Sequence, residues 1–97
     1  MQPALTDSFT QSPEWQRLSA AAQGVLRGVL VLAIHRDGEW GVDGSARDMS
    51  DWFGRELGMA PGVILAGLRE LEGAGYLRKG RRGMVNRFIV GAPLIER

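Results

Sequence analysis

The sequence predicts a small, mainly helical α+β domain with elements in the order α-β-α-α-β-β. Three observations carry this expectation. Apolar residues recur at helical spacing in three separate stretches, and Gly58-Met59-Ala60 marks a turn between the second and the third. Two strand-like runs, Tyr76 to Lys79 and Val85 to Val90, then flank the basic turn Gly80-Arg81-Arg82-Gly83.

Residues 1–13 carry Pro3, Thr6, Ser8, Thr10, Gln11, Ser12 and Pro13, a polar run that reads as a mobile arm. Residues 1–17 are therefore assigned to an N-terminal arm, 18–90 to the domain and 91–97 to a tail. Ser19 can cap a helix over 19–36 whose apolar positions Ala22, Val25, Leu26, Val29, Leu30, Ala33 and Ile34 exceed what one buried stripe needs. Either the arm, with Phe9 and Trp15, or a second subunit must cover the surplus. Asp37-Gly38 is read as the end of this helix, and Trp40 to Asp43 as one short strand. Ser45-Ala46-Arg47-Asp48 matches a capping box, after which Met49, Trp52, Phe53 and Leu57 share a helical face. Gly54 is expected at a close helix approach, and Gly58 as the αL residue that stops the helix. Pro61 suits the first turn of the next helix, whereas Ala60 is a poor cap for it. Ile64, Leu68 and Leu71 make that helix's apolar stripe, and Gly75 closes it. In the hairpin, Phe88 and Val90 alternate toward the core.

Taken together, Gly54-x-x-x-Gly58, the exit Leu68-Arg69-Glu70-Leu71-Glu72-Gly73-Ala74-Gly75-Tyr76-Leu77 and the ending Asn86-x-Phe88 resemble the winged helix-turn-helix superfamily of bacterial, plasmid and phage proteins. The resemblance covers roughly residues 18–90, and its middle piece is the most specific. Leu18-Ser19-x-x-Ala22-Gln23-Gly24 is also similar to the start of winged-helix domains in phage and plasmid replication proteins. The resemblance implies duplex DNA as partner, a role as transcriptional regulator or replication accessory factor, and a second turn-motif helix docked at the major groove.

The formal net charge is only +1, but it is unevenly spread. Residues 1–72 hold six Arg against ten carboxylates, a net of −4, whereas residues 73–97 hold six Arg or Lys against Glu96 alone, a net of +5. Arg78, Lys79, Arg81, Arg82 and Arg87 concentrate the positive charge in the hairpin, where a wing can hold phosphates or enter a minor groove. Five neutralised phosphates would give a salt slope of about −4.5. The DNA-facing residues of the second helix would be Gly62, Val63, Leu65, Ala66 and Arg69, of which only Arg69 can donate a hydrogen bond. Two readings follow. In one, the wing and DNA shape do most of the work; in the other, the apolar helix and the overfilled first helix serve as a protein-interaction or dimerisation module with little DNA readout. A homodimer or protein partner would then contact residues 19–36 or the arm.

Catalytic chemistry has little support, and the expectation is a non-enzyme. The chain has one histidine, His35, read as a surface residue near a helix end, and no cysteine, which removes disulfides and thiolate metal ligands. Asp48 and Asp51 read as first-turn helix residues, and Gly80-x-x-Gly83 lacks the strand-to-helix context of a phosphate loop. No cofactor, metal or small-molecule site is expected. The longest apolar run, Val29 to Ile34, is far below the ~20 residues of a membrane span, and a cytoplasmic location is expected. At 97 residues, roughly 60–65% of the unfolded surface can be buried, so an oligomer would be a natural supplement.

Overall fold

Five helices and six strands in two antiparallel sheets organise residues 2–97, the part of the chain described by the computed structural model. In order they are β1 (Pro3–Leu5), α1 (Asp7–Thr10), α2 (Pro13–Arg17), α3 (Ala20–Leu32), β2 (Ile34–Arg36), β3 (Glu39–Asp43), α4 (Ala46–Leu57), α5 (Pro61–Gly73), β4 (Leu77–Arg82), β5 (Val85–Val90) and β6 (Leu94–Glu96). The larger sheet runs β2-β3-β5-β4 and the smaller pairs β1 with β6. The α+β class holds, and the order gains β1, α1, α2, β2 and β6.

Local chemistry sets the helix ends. Ser45 Oγ accepts from the Asp48 N–H at 3.2 Å and the Asp48 carboxylate accepts from the Ser45 N–H at 2.8 Å, a closed capping box. These bonds from Ser45 hold the Asp48 carboxyl below its ordinary pKa. Gly58 stops α4 at φ +66°, and a three-residue turn leads to α5, whose first turn holds Pro61 and whose Ala60 makes no side-chain cap bond. At the far end Gly75, φ +82°, and Tyr76 return their N–H groups to Glu72 and Leu71, a Schellman closure. Ser19 caps α3, and Glu70 of α5 accepts from both its N–H (2.8 Å) and its Oγ–H (2.6 Å), tying the start of α3 to α5. Those bonds hold the Glu70 carboxyl below its usual value.

The helices approach most closely where a side chain is missing. A Cβ on Gly67 would lie 2.9 Å from Val25 and 3.1 Å from the Ala21 carbonyl, and one on Gly28 would lie 3.0 Å from the Phe53 ring. Gly54, expected at such a crossing, has only an ordinary 3.6 Å neighbour, so the tight crossings are those of α3 with α5 and α4. Val25, Leu26, Val29, Phe53, Ile64, Leu68, Leu71, Leu77 and Phe88 form the fully buried centre.

The expected helix over 19–36 ends early. Leu32 is its last residue, Ala33 is extended, and Ile34–Arg36 pair antiparallel with Glu39–Gly41. Asp37 (φ +53°) and Gly38 (φ +77°) form the two-residue turn between them, the positive-φ pair that a type I′ hairpin requires. His35 consequently sits on β2, edge-on to Trp40 at 5.1 Å, and not at a helix end. The basic hairpin is also longer than expected. Gly80, Arg81 and Arg82 continue β4, and the turn is Gly83-Met84 with Gly83 at φ +61°.

Residues 3–17 and 94–96, expected as arm and tail, are packed structure. Leu5, Phe9, Trp15 and Leu18 belong to the core cluster, with Phe9 edge-on to Trp15 and to Tyr76. They cover part of the surplus apolar side of α3, while Val31 (69% exposed) and Ile34 (50% exposed) stay open to solvent. Pro3↔Glu96 and Leu5↔Leu94 pairing joins the two segments.

Candidate nucleic-acid interface

Helix α5 turns Ile64, Gly67, Leu68 and Leu71 inward against α3. Helical geometry therefore places Gly62, Ala66, Arg69 and Gly73 on the opposite side, and all four are exposed. Val63 lies beside this strip at 42% exposure, whereas Leu65 is half-buried and packs against the core. The exposed strip is nearly free of side-chain bulk apart from Arg69. A flat surface of this kind can come close to a duplex, yet it offers one side chain able to donate to a base edge.

Strand alternation divides the hairpin's cations between two faces. Leu77, Lys79 and Arg81 of β4 share a face with Val90, Phe88 and Asn86 of β5, the face that packs on the helices. Arg78, Gly80 and Arg82 share the outer face with Ile89, Arg87 and Val85, and with Glu39, Gly41 and Asp43 of β3. On that outer face the positive charge is consumed. Arg78 bonds to Glu39, and Arg82 donates to the Asp43 carboxylate at 2.7 Å, each pair arching over β5. Hydrogen bonding to Arg82, reinforced by the charges of Arg82, Arg36 and Arg87, holds the Asp43 carboxyl below its ordinary value, so the pair is fully ionised at neutral pH.

Arg87 does not join the exposed cations, because it is only 5% exposed. Its side chain lies across Gly41, where a Cβ would come within 2.4 Å of Nε, and its Nη2 donates to the carbonyls of Ile34 (3.0 Å) and Glu39 (3.3 Å). Its Nε has no partner among the described residues. Arg87 thus fastens the β2–β3 hairpin to β5. Arg87→Ala should lower stability by roughly 2–3 kcal/mol in urea unfolding, since two charge-assisted bonds are lost. The salt slope of any DNA binding should stay as in the parent; a slope shallower by about one would put Arg87 on a phosphate.

Lys79 and Arg81 remain exposed, with no carboxylate partner among the described residues. Lys79 and Asn86 line a shallow pocket of about 170 Å³ between the hairpin and the start of α4. Asn86 faces Arg81 across the strands and adds a donor and acceptor that sequence reasoning passed over. Glu39 and Asp43 were passed over too, because their partners lie 39 residues away. Among the described residues no group of three or more His, Cys, Asp or Glu is placed to hold a metal, and no helix is long and apolar enough to cross a membrane.

No family model and no curated protein matches the sequence. Among solved structures, the N-terminal domain of a DNA-binding protein is similar, with a TM-score of 0.60 at 20% sequence identity. The match covers 96% of this chain and 76% of the other, so the two share a fold.

Proposed function

We propose that the chain is a winged helix-turn-helix protein that binds duplex DNA, with α4 and α5 as the turn motif and β4–β5 as the wing. The unpaired Lys79 and Arg81, on the helix side of a hairpin that leaves directly from α5, carry this reading. The shared fold with the domain of a DNA-binding protein supports it. In this reading the strip Gly62, Ala66 and Arg69 lies at the major groove and the wing holds the flanking backbone. Affinity comes mostly from phosphates, and sequence preference from DNA shape more than from base edges. Such a module suits a transcriptional regulator or a replication accessory factor.

With Arg78 and Arg82 paired and Arg87 buried, Arg69, Lys79 and Arg81 are what remains of the cations assigned to α5 and the wing. The expected salt slope becomes about −2.7, in place of the −4.5 that five contacts would give. Fluorescence anisotropy with labelled random duplex, titrated at several salt concentrations, measures it. Lys79→Ala with Arg81→Ala should flatten the slope by up to about 1.8 and weaken binding to all sequences alike. An unchanged slope would remove the hairpin from DNA contact, and absence of binding at low salt would remove DNA from the function.

A further inference from the structure

An open groove of about 620 Å³ runs between α4 and the β2–β3 hairpin, away from the α5 strip. Its floor is apolar, formed by Leu32, the half-exposed Ile34 and Trp52. Its rim is acidic: Asp43, Asp48 and Asp51 line it against the single cation Arg55. Asp43 is already paired with Arg82, and Asp48 keeps its charge while capping Ser45, so Asp48 and Asp51 give the groove its negative field.

The complementary chemistry is displayed at the tip of the β4–β5 hairpin, whose Arg82 is bonded to Asp43 at the groove rim of the same chain. Met84, at the two-residue turn of β4–β5, is 91% exposed, and Val85 beside it is 40% exposed. Arg81, exposed and without a carboxylate partner among the described residues, stands just before this turn, next to Arg82, which is paired with Asp43. An apolar knob at a hairpin tip, beside the unpaired cation Arg81, has the chemistry an apolar groove with a carboxylate rim accepts. Arg78 and Arg82 are spent on Glu39 and Asp43 of the same chain, so the charge available to another copy is that of Arg81 beside the tip, set against the Asp48 and Asp51 carboxylates of the groove.

We propose that the Met84 tip of one copy docks in the Ile34–Trp52 groove of a second copy. The contact joins two different surfaces, so it is heterologous unless a two-fold axis repeats it reciprocally. It draws on Ile34, at the exposed end of the 19–36 stretch, and leaves out the N-terminal segment, whose Leu5, Phe9 and Trp15 are packed within the chain.

The test is made without DNA, so its result is separable from that of the DNA reading. Sedimentation equilibrium of the parent chain at low salt, from micromolar to near-millimolar concentration, should show the mass rising above one chain. Met84→Glu should keep the mass at one chain, and so should Ile34→Glu, because each places a carboxylate in an apolar contact beside acidic residues. Mixing the two variants is the decisive step. The intact groove of Met84→Glu can receive the intact tip of Ile34→Glu, so the mixture should form a species of two chains. A monomeric parent, a Met84→Glu variant that still associates, or a mixture that stays monomeric would each overturn the proposal. Both positions are exposed, and circular dichroism melts check that each variant is folded. Should Ile34→Glu unfold, Asp51→Arg replaces it as the groove variant with the same expected outcomes.

Discussion

A chain beginning at residue 18 should fail to fold cooperatively. The deletion strips Leu5, Phe9 and Trp15 from the core, each at most 7% exposed, and leaves their former neighbours on α3 facing water. At ~1.5–3 kcal/mol per buried side chain of this size, the loss is roughly 5–9 kcal/mol. A domain this small has a total stability of about 5–15 kcal/mol, so the deletion removes most or all of it. Further ties are lost: Gln23 Nε2 donates to the Trp15 carbonyl at 2.8 Å, the Arg27 guanidinium lies 5.0 Å over the Trp15 ring, and β6 loses its partner. Far-UV circular dichroism against temperature decides the matter. A cooperative melt within a few degrees of the full chain would mean that these residues shield the core without completing it. The milder Trp15→Ala should cost about 3–5 kcal/mol.

On the proposed function, replacing Glu39 by Gln and Asp43 by Asn should make DNA binding both tighter and more sensitive to salt. In the parent, Arg78 and Arg82 present no net charge to a phosphate because each carries its carboxylate with it. The pairs lie at the surface, where solvent screens them, so removing the acids should leave the fold intact. Two unmasked cations would steepen the salt slope from about −2.7 to about −4.5. A fourfold reduction in salt would then favour the variant over the parent by a further factor of about ten. An unchanged slope would show that the outer sheet face never meets the backbone of the nucleic acid. In the parent, the lowered pKa of Asp43 means the mask persists at neutral pH and is lost only as pH falls through that lowered value, where the carboxylate takes up a proton.

The sequence was most informative where a few neighbouring residues decide the structure. The capping box of Ser45 and Asp48, the αL stop at Gly58 and the closure at Gly75 depend on hydrogen bonds within six residues, Pro61 in a first turn depends on its fixed φ and missing N–H, and each is visible in the chain. Asp37-Gly38 was legible as a break but ambiguous in kind, because a helix stop and a type I′ hairpin both need positive φ. The apolar spacing continuing through Ala33 and Ile34 favoured the helix, while three cross-strand pairs with Gly41, Trp40 and Glu39 favoured the strand. Phe9 and Trp15 were visible as candidates for covering α3, yet the polar residues around them concealed two short helices. In the site, α5's apolar exposed strip was readable from spacing, except that Leu65 turns toward the core. The division of the five hairpin cations was not readable. It depends on which strand lies beside β5, and therefore on Gly41, whose missing side chain makes room for Arg87.

The pairing of β1 with β6 also sets an order of events during synthesis. Glu96 is made 93 residues after its partner Pro3, so the first strand must wait for all the elements between them. By then α4, α5 and the β4–β5 hairpin, which need only near neighbours, can already have formed. Closing so long a loop is entropically the most expensive of the strand pairings and rewards only three residues on each side. Hydrogen exchange should therefore show the backbone amides of this pair opening before those of the four-stranded sheet.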